Sequence, residues 1–368
     1  MKRTALLASL LAAASVPFAA SAEAPFRFAA SGDSRNCGDV VVPAIAAGAK
    51  KDGAKFYWHL GDLRATFTFD EDMLAERGGK MNIASYLGDE WNDFIENQIL
   101  PFGNMPFFLG IGNHETIPPK SREQYLLQFA DWLDAPVLRE QRLADDPNDH
   151  RMKAYYHWKH GGIDFVALDN ATEDQFDDAQ VGWFEKILER DRTDAGVRGV
   201  IVGMHRALPN SFSCGHGMNE SAQGVAAGRR VYRDLLKWTK EAGKPVAVLA
   251  SHSHFVMNDL YDTPYWNDKN AGDRGVLPGW IVGTAGAMRY SLPGNLPPGL
   301  FAKTDVYGYL LGEVSSDGKM TFKFQELTRA DVPANVVAKF GAKVVDECFA
   351  GNHDMRPVAE PPASCSEK

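Results

Sequence analysis

Seven polar residues stand where they could hold metal ions. Asp33 lies in SGDSR, Asp62 in LGDLR, Asn113 and His114 in GIGNHET, His205 in VGMHR, and His252 and His254 in ASHSH. Carboxylate, amide and imidazole donors without thiolates suit a hard-to-borderline ion such as Mn, Fe or Zn. Each residue alone has a plainer explanation. An Asp after an apolar run is a common turn residue or helix cap, and a single His there is an ordinary surface group. The conjunction carries the weight, because each follows a run of apolar residues. A near copy of one word, GNHD at 351–354, follows ECFA and sits between Cys348 and Cys365. It lies past the last strand pair and is expected to be a surface loop without catalytic role.

The apolar runs are the elements that must position these groups. FRFAAS (26–31), KFYWHLGD (55–62), PFFLGIGN (106–113), DFVALDN (164–170), GVIVGMH (199–205), PVAVLASHSH (245–254) and GWIVGTAG (279–286) read as strands. They are rich in Val, Ile, Phe and Leu, and most end in Gly, Asp, Asn or His. Helical patterns occupy 40–49, 86–100, 180–190 and 230–242. The third puts Val181, Phe184, Ile187 and Leu188 on one stripe; the fourth is stopped by Gly243 and Pro245. Strands alternating with helices predict an α/β layered fold. In such sheets the C-terminal strand ends form one rim, where ligands bind. Later, 307–314 and 319–326 flank Ser315-Ser316-Asp317-Gly318 and predict a β-hairpin. The polar, Pro-containing segment from about 330 is expected to be a surface extension.

Composition narrows the function. The first 22 residues, with Lys2 and Arg3, an apolar run and Ala20-Ser21-Ala22, read as a secretory signal peptide cleaved after Ala22. The run is too short for a comfortable membrane anchor, so the mature chain is expected in the periplasm or outside the cell. Loss of Lys2 and Arg3 takes the formal net charge from −9 to −11. An acidic surface argues against nucleic-acid and anionic-membrane binding. Cys37, Cys214, Cys348 and Cys365 allow three connectivities in an oxidising compartment. Cys348–Cys365 as a tail clamp and Cys37–Cys214 as a loop staple are the expected pairs. No linker or repeat divides the chain, and one embellished domain is the simplest organisation.

The ordered set of GD, GNHE, H and HxH resembles the calcineurin-like metallophosphoesterases, including their purple acid phosphatase branch. The likeness runs from about residue 26 to 326 and includes DFVALDN, the 180–188 helix and GTAGA. It implies a layered α/β/β/α sandwich with two mixed β-sheets and a metal site at the strand C-terminal ends. The catalytic domain would span 23–329, with cap-like insertions at about 63–104 and 115–153 and an extension at 330–368. Trp91, Phe94, Tyr125, Phe129, Trp132, Tyr155 and Tyr156 would line a cap or, at helical spacing, fill a core.

The resemblance also assigns roles. Asp33 and His254 match first-site ligands, Asp62 the carboxylate that bridges two ions, and Asn113, His205 and His252 the remaining second-site ligands. His114 matches the histidine beside the leaving group. Glu115 is expected to fix His114 or its loop. The implied reaction is hydrolysis of a small phosphate ester by a metal-bound hydroxide, with two ions (Mn, Fe or Zn). Two departures bear on the first site. Arg35 stands where D-x-H would place a His, and Ala65 where purple acid phosphatases carry a Tyr. Ser251 also replaces a usual Gly. The first ion would then bind weakly, recruit another ligand, or be replaced by Arg35, whose guanidinium can hold a phosphoryl group through two parallel bonds. Arg64 and Arg206 are further candidates for substrate binding, and His216 is expected to be an ordinary loop residue. The alternative is a degenerate binding protein that captures phosphate ligands without turnover.

Overall fold

The computed structural model describes residues 24–172, 175–212, 216–270, 272, 275–294 and 296–354. The leader segment, Cys214 and Cys365 lie outside the described residues. In chain order the strands are β1 (Phe26–Ser31), β2 (Ala54–His59), β3 (Phe107–Leu109), β4 (Tyr156–His160), β5 (Ile163–Ala167), β6 (Gly199–Gly203) and β7 (Val246–Ala250). They continue with β8 (Val256–Asn258), β9 (Gly279–Val282), β10 (Arg289–Tyr290), β11 (Ala302–Lys303), β12 (Tyr307–Val314), β13 (Met320–Leu327) and β14 (His353–Asp354). One sheet has the order β13-β12-β1-β2-β3, the other β11-β8-β9-β7-β6-β5-β4. Both are mixed: β1, β2 and β3 run parallel, as do β5, β6, β7 and β9, while the outer strands pair antiparallel. The predicted hairpin is β12–β13.

The central strands are continuous apolar runs because both faces are covered. Between the sheets lies a plug of aromatic rings. Phe108 stacks on Trp158 at 3.9 Å, Trp58 meets Trp158 edge-on at 5.1 Å, and Phe28 and Phe56 both meet Phe165. Burying each such ring stabilises the fold by roughly 1.5–3 kcal/mol. Gly203 is required here: a Cβ on it would come within 2.3 Å of the Trp58 ring. The helix Gly38–Lys51 covers the first sheet with Val40, Val41, Ala44 and Ile45. The helices Asp178–Thr193 and Ala222–Ala242 cover the second, setting Phe184, Leu188, Val231 and Leu235 against Val200, Val202 and Val248. The layers are therefore α/β/β/α, as expected. Trp91, Phe94, Tyr125, Phe129 and Tyr156 are buried core residues.

Two expectations are corrected. Cys37 is bonded to Cys348, 311 residues away, so neither Cys37–Cys214 nor Cys348–Cys365 forms. The stretch after residue 330 is more than a surface extension. Val332, Val336, Phe340, Val345 and Cys348 are buried in the first core. The apolar spacing in VPANVVAKFGAKVV is short and interrupted, which hid it from a periodicity reading.

A buried charge cluster ties the 115–153 segment to the second sheet. His157 Nδ1 lies 2.8 Å from both oxygens of Asp164, and its Nε2 lies 2.5 Å from Asp145 Oδ2. A cavity of about 770 Å³ lies beside it and has none of the rim residues in its lining. Burial pulls the His157 pKa down, but bonds to Asp145 and Asp164 outweigh it and raise the value to about 9. A raised value stabilises the fold fully below the unfolded-state value near 6.5 and fades as pH rises through about 9. His157→Gln is expected to lower the unfolding free energy by on the order of 2–3 kcal/mol at pH 6. Urea unfolding should show this deficit shrinking above pH 9, and an equal deficit at both pH values would contradict the assignment.

Candidate metal centre

The rim is built where strand pairing runs on past the strands. Leu60 N donates to Ser31 O, Asp33 N to Gly61 O, Ser34 N to Asp62 O and Ser251 N to His205 O, all at 2.9–3.0 Å. These rungs place the loop after β1 beside that after β2, and the loop after β6 beside that after β7. The chain then turns sharply at the candidate ligands themselves. Asp33, Asp62 and His252 have φ of 60°, 58° and 67°. Left-handed backbone costs a non-glycine residue about 1 kcal/mol or more and marks functional sites. Glu115 locks the arrangement. Its carboxylate accepts from Gly112 N (2.7 Å), Asp62 N (3.0 Å) and Leu63 N (2.9 Å). It thus fixes the loop and makes no bond to the His114 ring. Burial and the Asp62 charge push its pKa up to about 8. Gly112 is needed beside it, since a Cβ there would lie 2.2 Å from Asp62 Oδ1.

Asp62, His205 and His252 bring ligand atoms within 4.8 Å of one another. His205 Nδ1 is 3.1 Å from the Leu60 carbonyl and Ser251 Oγ. A carbonyl only accepts, so the proton sits on Nδ1 and Nε2 presents a lone pair. Around that lone pair stand Asn113 Oδ1 at 3.0 Å, Asp62 Oδ1 at 3.2 Å and His252 Nδ1 at 3.0 Å. Acceptors converging on an acceptor call for a cation among them, and the set fits one divalent ion. Burial raises the Asp62 pKa, but the His114 and His205 charges bring it well below the ordinary range. Burial lowers the His205 value, yet Asp62 and Asp33 raise it overall, so the spot attracts positive charge. Burial, then His205 and Arg206, hold His252 well below its usual value. An ionised carboxylate and a neutral imidazole are the ligand forms a metal needs.

The neighbouring donors are engaged differently. Asp33 Oδ2 accepts from His252 N at 2.7 Å, and its Oδ1 lies 3.3 Å from His254 Nε2. His254 Nδ1 lies 2.6 Å from the Met288 carbonyl. His114 Nδ1 lies 2.7 Å from the Ala65 carbonyl. Both rings therefore turn an Nε2 lone pair inward, and Arg35 answers both. Its Nη2 is 3.0 Å from His254 Nε2, and its Nη1 bonds His114 Nε2. Tyr290 stacks on His254 at 4.0 Å, with its hydroxyl 3.4 Å from Arg35 Nη2. Arg35 was named from the sequence; Tyr290 was not. Nothing local marks a Tyr in AGAMRYSLP; Tyr290 N donates to His254 O at 3.2 Å, and β10 pairs with β14.

Other expectations fare unequally. Arg64 is not at the site. It is fully buried, bonded to Asp39 at 2.7 Å and to Asp93, with Asp70 and Asp72 each at 3.7 Å. Arg206 is nearly buried and paired with Glu220 at 2.8 Å. Its charge is felt by His205, His252 and His216. His216 does reach the site: its ring is 5.3 Å from His252 and 5.7 Å from Tyr290. Phe67, which the sequence did not single out, is exposed and lies 5.0 Å from the His114 ring. GNHD at 351–354 carries no ligand in the cluster, but it is more than a loop. Arg289 N and Nε both donate to Asn352 O, and Asn352 Nδ2 donates to Gly286 O and Tyr307 Oη.

The sequence profile of calcineurin-like phosphoesterases matches residues 26–256. The chain belongs to that family. Family membership supports metal-dependent hydrolysis of phosphoesters and agrees with the layered fold and the donor cluster. Among solved structures, the chain is similar to purple acid phosphatase PPD1 from yellow lupin (Lupinus luteus) seeds, with 16% identity and a TM-score of 0.55. That match covers 83% of this chain and 52% of the lupin protein, so the chain spans about half the length of that phosphatase. PhoD is similar at 14% identity, covering 89% of this chain and 77% of PhoD, with a TM-score of 0.48. GAP50, the anchor in the inner membrane complex of Plasmodium, is similar at 13% identity, covering 92% and 99%, with a TM-score of 0.46. No curated protein matches the chain in sequence. Among the described residues no helix is long and apolar enough to cross a membrane.

The fate of Arg64 is open to a direct check. Arg64→Met leaves four buried or nearly buried carboxylates without their cation, a loss of about 3–5 kcal/mol in stability. The melting temperature should fall sharply while the KM of the folded fraction stays put. A raised KM at unchanged stability would return Arg64 to the substrate site.

Proposed function

We propose that this chain is a secreted metal-dependent phosphoesterase acting on a small phosphate ester. The observation that carries it is the convergence of Asp62, Asn113 and His252 on the His205 Nε2 lone pair. Asp33, His114, His254 and Arg35 complete the same rim. A divalent ion bound by Asp62, Asn113, His205 and His252 supplies positive charge to the phosphoryl oxygens and lowers the pKa of a nearby water.

The protein's own residues do the rest. Asp62 keeps Oδ1 toward His205, while its Oδ2 is buried without a hydrogen-bond partner and lies 3.7 Å from His114 Nε2. Asn113 adds a neutral donor and so limits the negative charge that would repel a phosphate. His114 has its Nδ1 engaged at Ala65 O and its Nε2 bonded by Arg35, which fixes the ring beside the reaction space. Phe67 offers an exposed ring beside His114, where an apolar organic group of the ester would lie. The chain is acidic, with a formal net charge of −9, which favours a small ester over a nucleic acid.

The test is hydrolysis of an aryl phosphomonoester and an aryl phosphodiester by the purified mature protein, stripped of metal and reloaded with Mn, Zn or Fe. Turnover should return with metal and fall at least about 100-fold in Asn113→Ala. Phe67→Ala should raise KM for the aryl ester several-fold, by about 1 kcal/mol of lost ring contact, and leave a small alkyl ester unchanged. Absence of turnover with every metal and ester would sink the proposal.

A further inference from the structure

Of the donors that the family assigns to a first ion, His254 is already bonded to a side chain of this protein, Arg35. We propose that the centre holds one metal ion, and that the Arg35 guanidinium, seated between His254 and His114 with Tyr290 beside it, replaces the other ion and grips the phosphoryl group. The inference rests on the phosphoesterase assignment and specifies how that site recognises its substrate.

Four observations carry it. First, the lone pairs are accounted for. His254 Nδ1 faces the Met288 carbonyl and His114 Nδ1 the Ala65 carbonyl, so each Nε2 must accept. Guanidinium has donors only, and two of its nitrogens meet these two acceptors. Second, Arg35 brings a fixed positive charge into the field of Asp62 and Asp33. A second divalent ion among the same atoms would be repelled by it. His254 is thus taken, and the orphaned Asp33 Oδ1 and Asp62 Oδ2 have the fixed Arg35 charge where a first ion's would stand, whereas Asp62, Asn113, His205 and His252 fit one ion.

Third, Arg35 stands on a rigid base. Cys37 N donates to the Arg35 carbonyl at 2.9 Å, and Cys37 is bonded to Cys348. Asn36 is held on three sides: its N donates to Asp70 Oδ1 at 2.5 Å, its Nδ2 to Glu71, and its Oδ1 accepts from Met288 N. These ties fix the backbone that carries the guanidinium. Fourth, Arg35 Nε is buried with no acceptor. A buried donor left unpaired is unfavourable, and a phosphoryl oxygen in the site is the acceptor it lacks. The Tyr290 hydroxyl, 3.4 Å from Arg35 Nη2, is a second donor at the same place.

The experiment uses the full mature chain with its disulfide intact. Metal is removed, Mn is added back stepwise, and bound metal per chain is followed with aryl phosphate turnover. Inorganic phosphate binding is measured by calorimetry on the loaded protein. Activity should saturate at about one ion per chain. Arg35→His, which restores an imidazole, should raise the ratio toward two. Arg35→Ala should weaken inorganic phosphate binding by about 10- to 100-fold while retaining the ion at Asp62. Should Arg35→Ala fail to fold, Arg35→Lys keeps the charge without the two-nitrogen fork and should still weaken phosphate several-fold. Wild-type activity that saturates only at two ions per chain would overturn the inference, as would phosphate affinity independent of Arg35. If no ester is turned over, the phosphoesterase assignment fails, while metal ratio and phosphate binding still decide the role of Arg35.

Discussion

Two carboxylates, Asp33 and Asp62, are fully buried side by side at the ends of β1 and β2. Much of the rim follows from the need to keep that charge in place. A buried anion without partners costs several kcal/mol even after relaxation. The surrounding chain supplies backbone donors, His252 N to Asp33 and His114 N to Asp62, the Arg35 charge stands nearby, and Asp33 Oδ1 and Asp62 Oδ2 keep no hydrogen-bond partner. The left-handed backbone at both aspartates turns their side chains into the rim instead of letting the strands run on. Glu115 then pins the loops after β2 and β3 together through three backbone N–H groups. The result is a preorganised negative pocket that favours a cation before any substrate arrives.

The same chain contains a second buried charge cluster with the opposite logic. Arg64 lies among Asp39, Asp70, Asp72 and Asp93, beneath the segment that follows β2. Burial raises Asp39 and Asp72 well above the ordinary carboxylate range, and Arg64 is the cation among the four. It anchors the start of the helix Gly38–Lys51, where Asp39 N donates to Asp72 Oδ2 at 2.7 Å. Arg35 and Arg64 each sit two residues after an aspartate of the rim. One faces the reaction space and the other faces inward, and chemistry goes with the first.

The C-terminal segment completes the site from behind. The bond from Cys37 to Cys348 joins the loop that carries Arg35 to the helix Ala342–Ala350. Immediately after it, His353 and Asp354 pair with Arg289 and Tyr290, and Asn352 O accepts from Arg289. The second GNHD word is thus a support for the groups that contact His254, reached through hydrogen bonds instead of ligation. The asparagine of each word uses its side-chain amide, one toward His205 and one toward the Gly286 carbonyl and Tyr307.

Much of this was legible in the sequence. The apolar runs, their order and the polar residue closing each one determined the layered fold and the identity of the rim residues, because strand burial and strand ends leave local signals. LGD, GNHE and SHSH mark turns whose residue types are unusual for turns alone. What the sequence could not decide was pairing at a distance. Arg35 and Arg64 look alike in DSR and DLR, and their different surroundings arise from residues 25 to 255 positions away. Tyr290, Phe67 and His216 reach the site only because loops from separate strands converge there. Cys37 meets Cys348 because the C-terminal helices fold back over the first sheet, a contact no spacing rule contains. Local composition set the elements; the approach of distant segments, which depends on packing both sheets at once, set which charges neutralise one another and which remain to act.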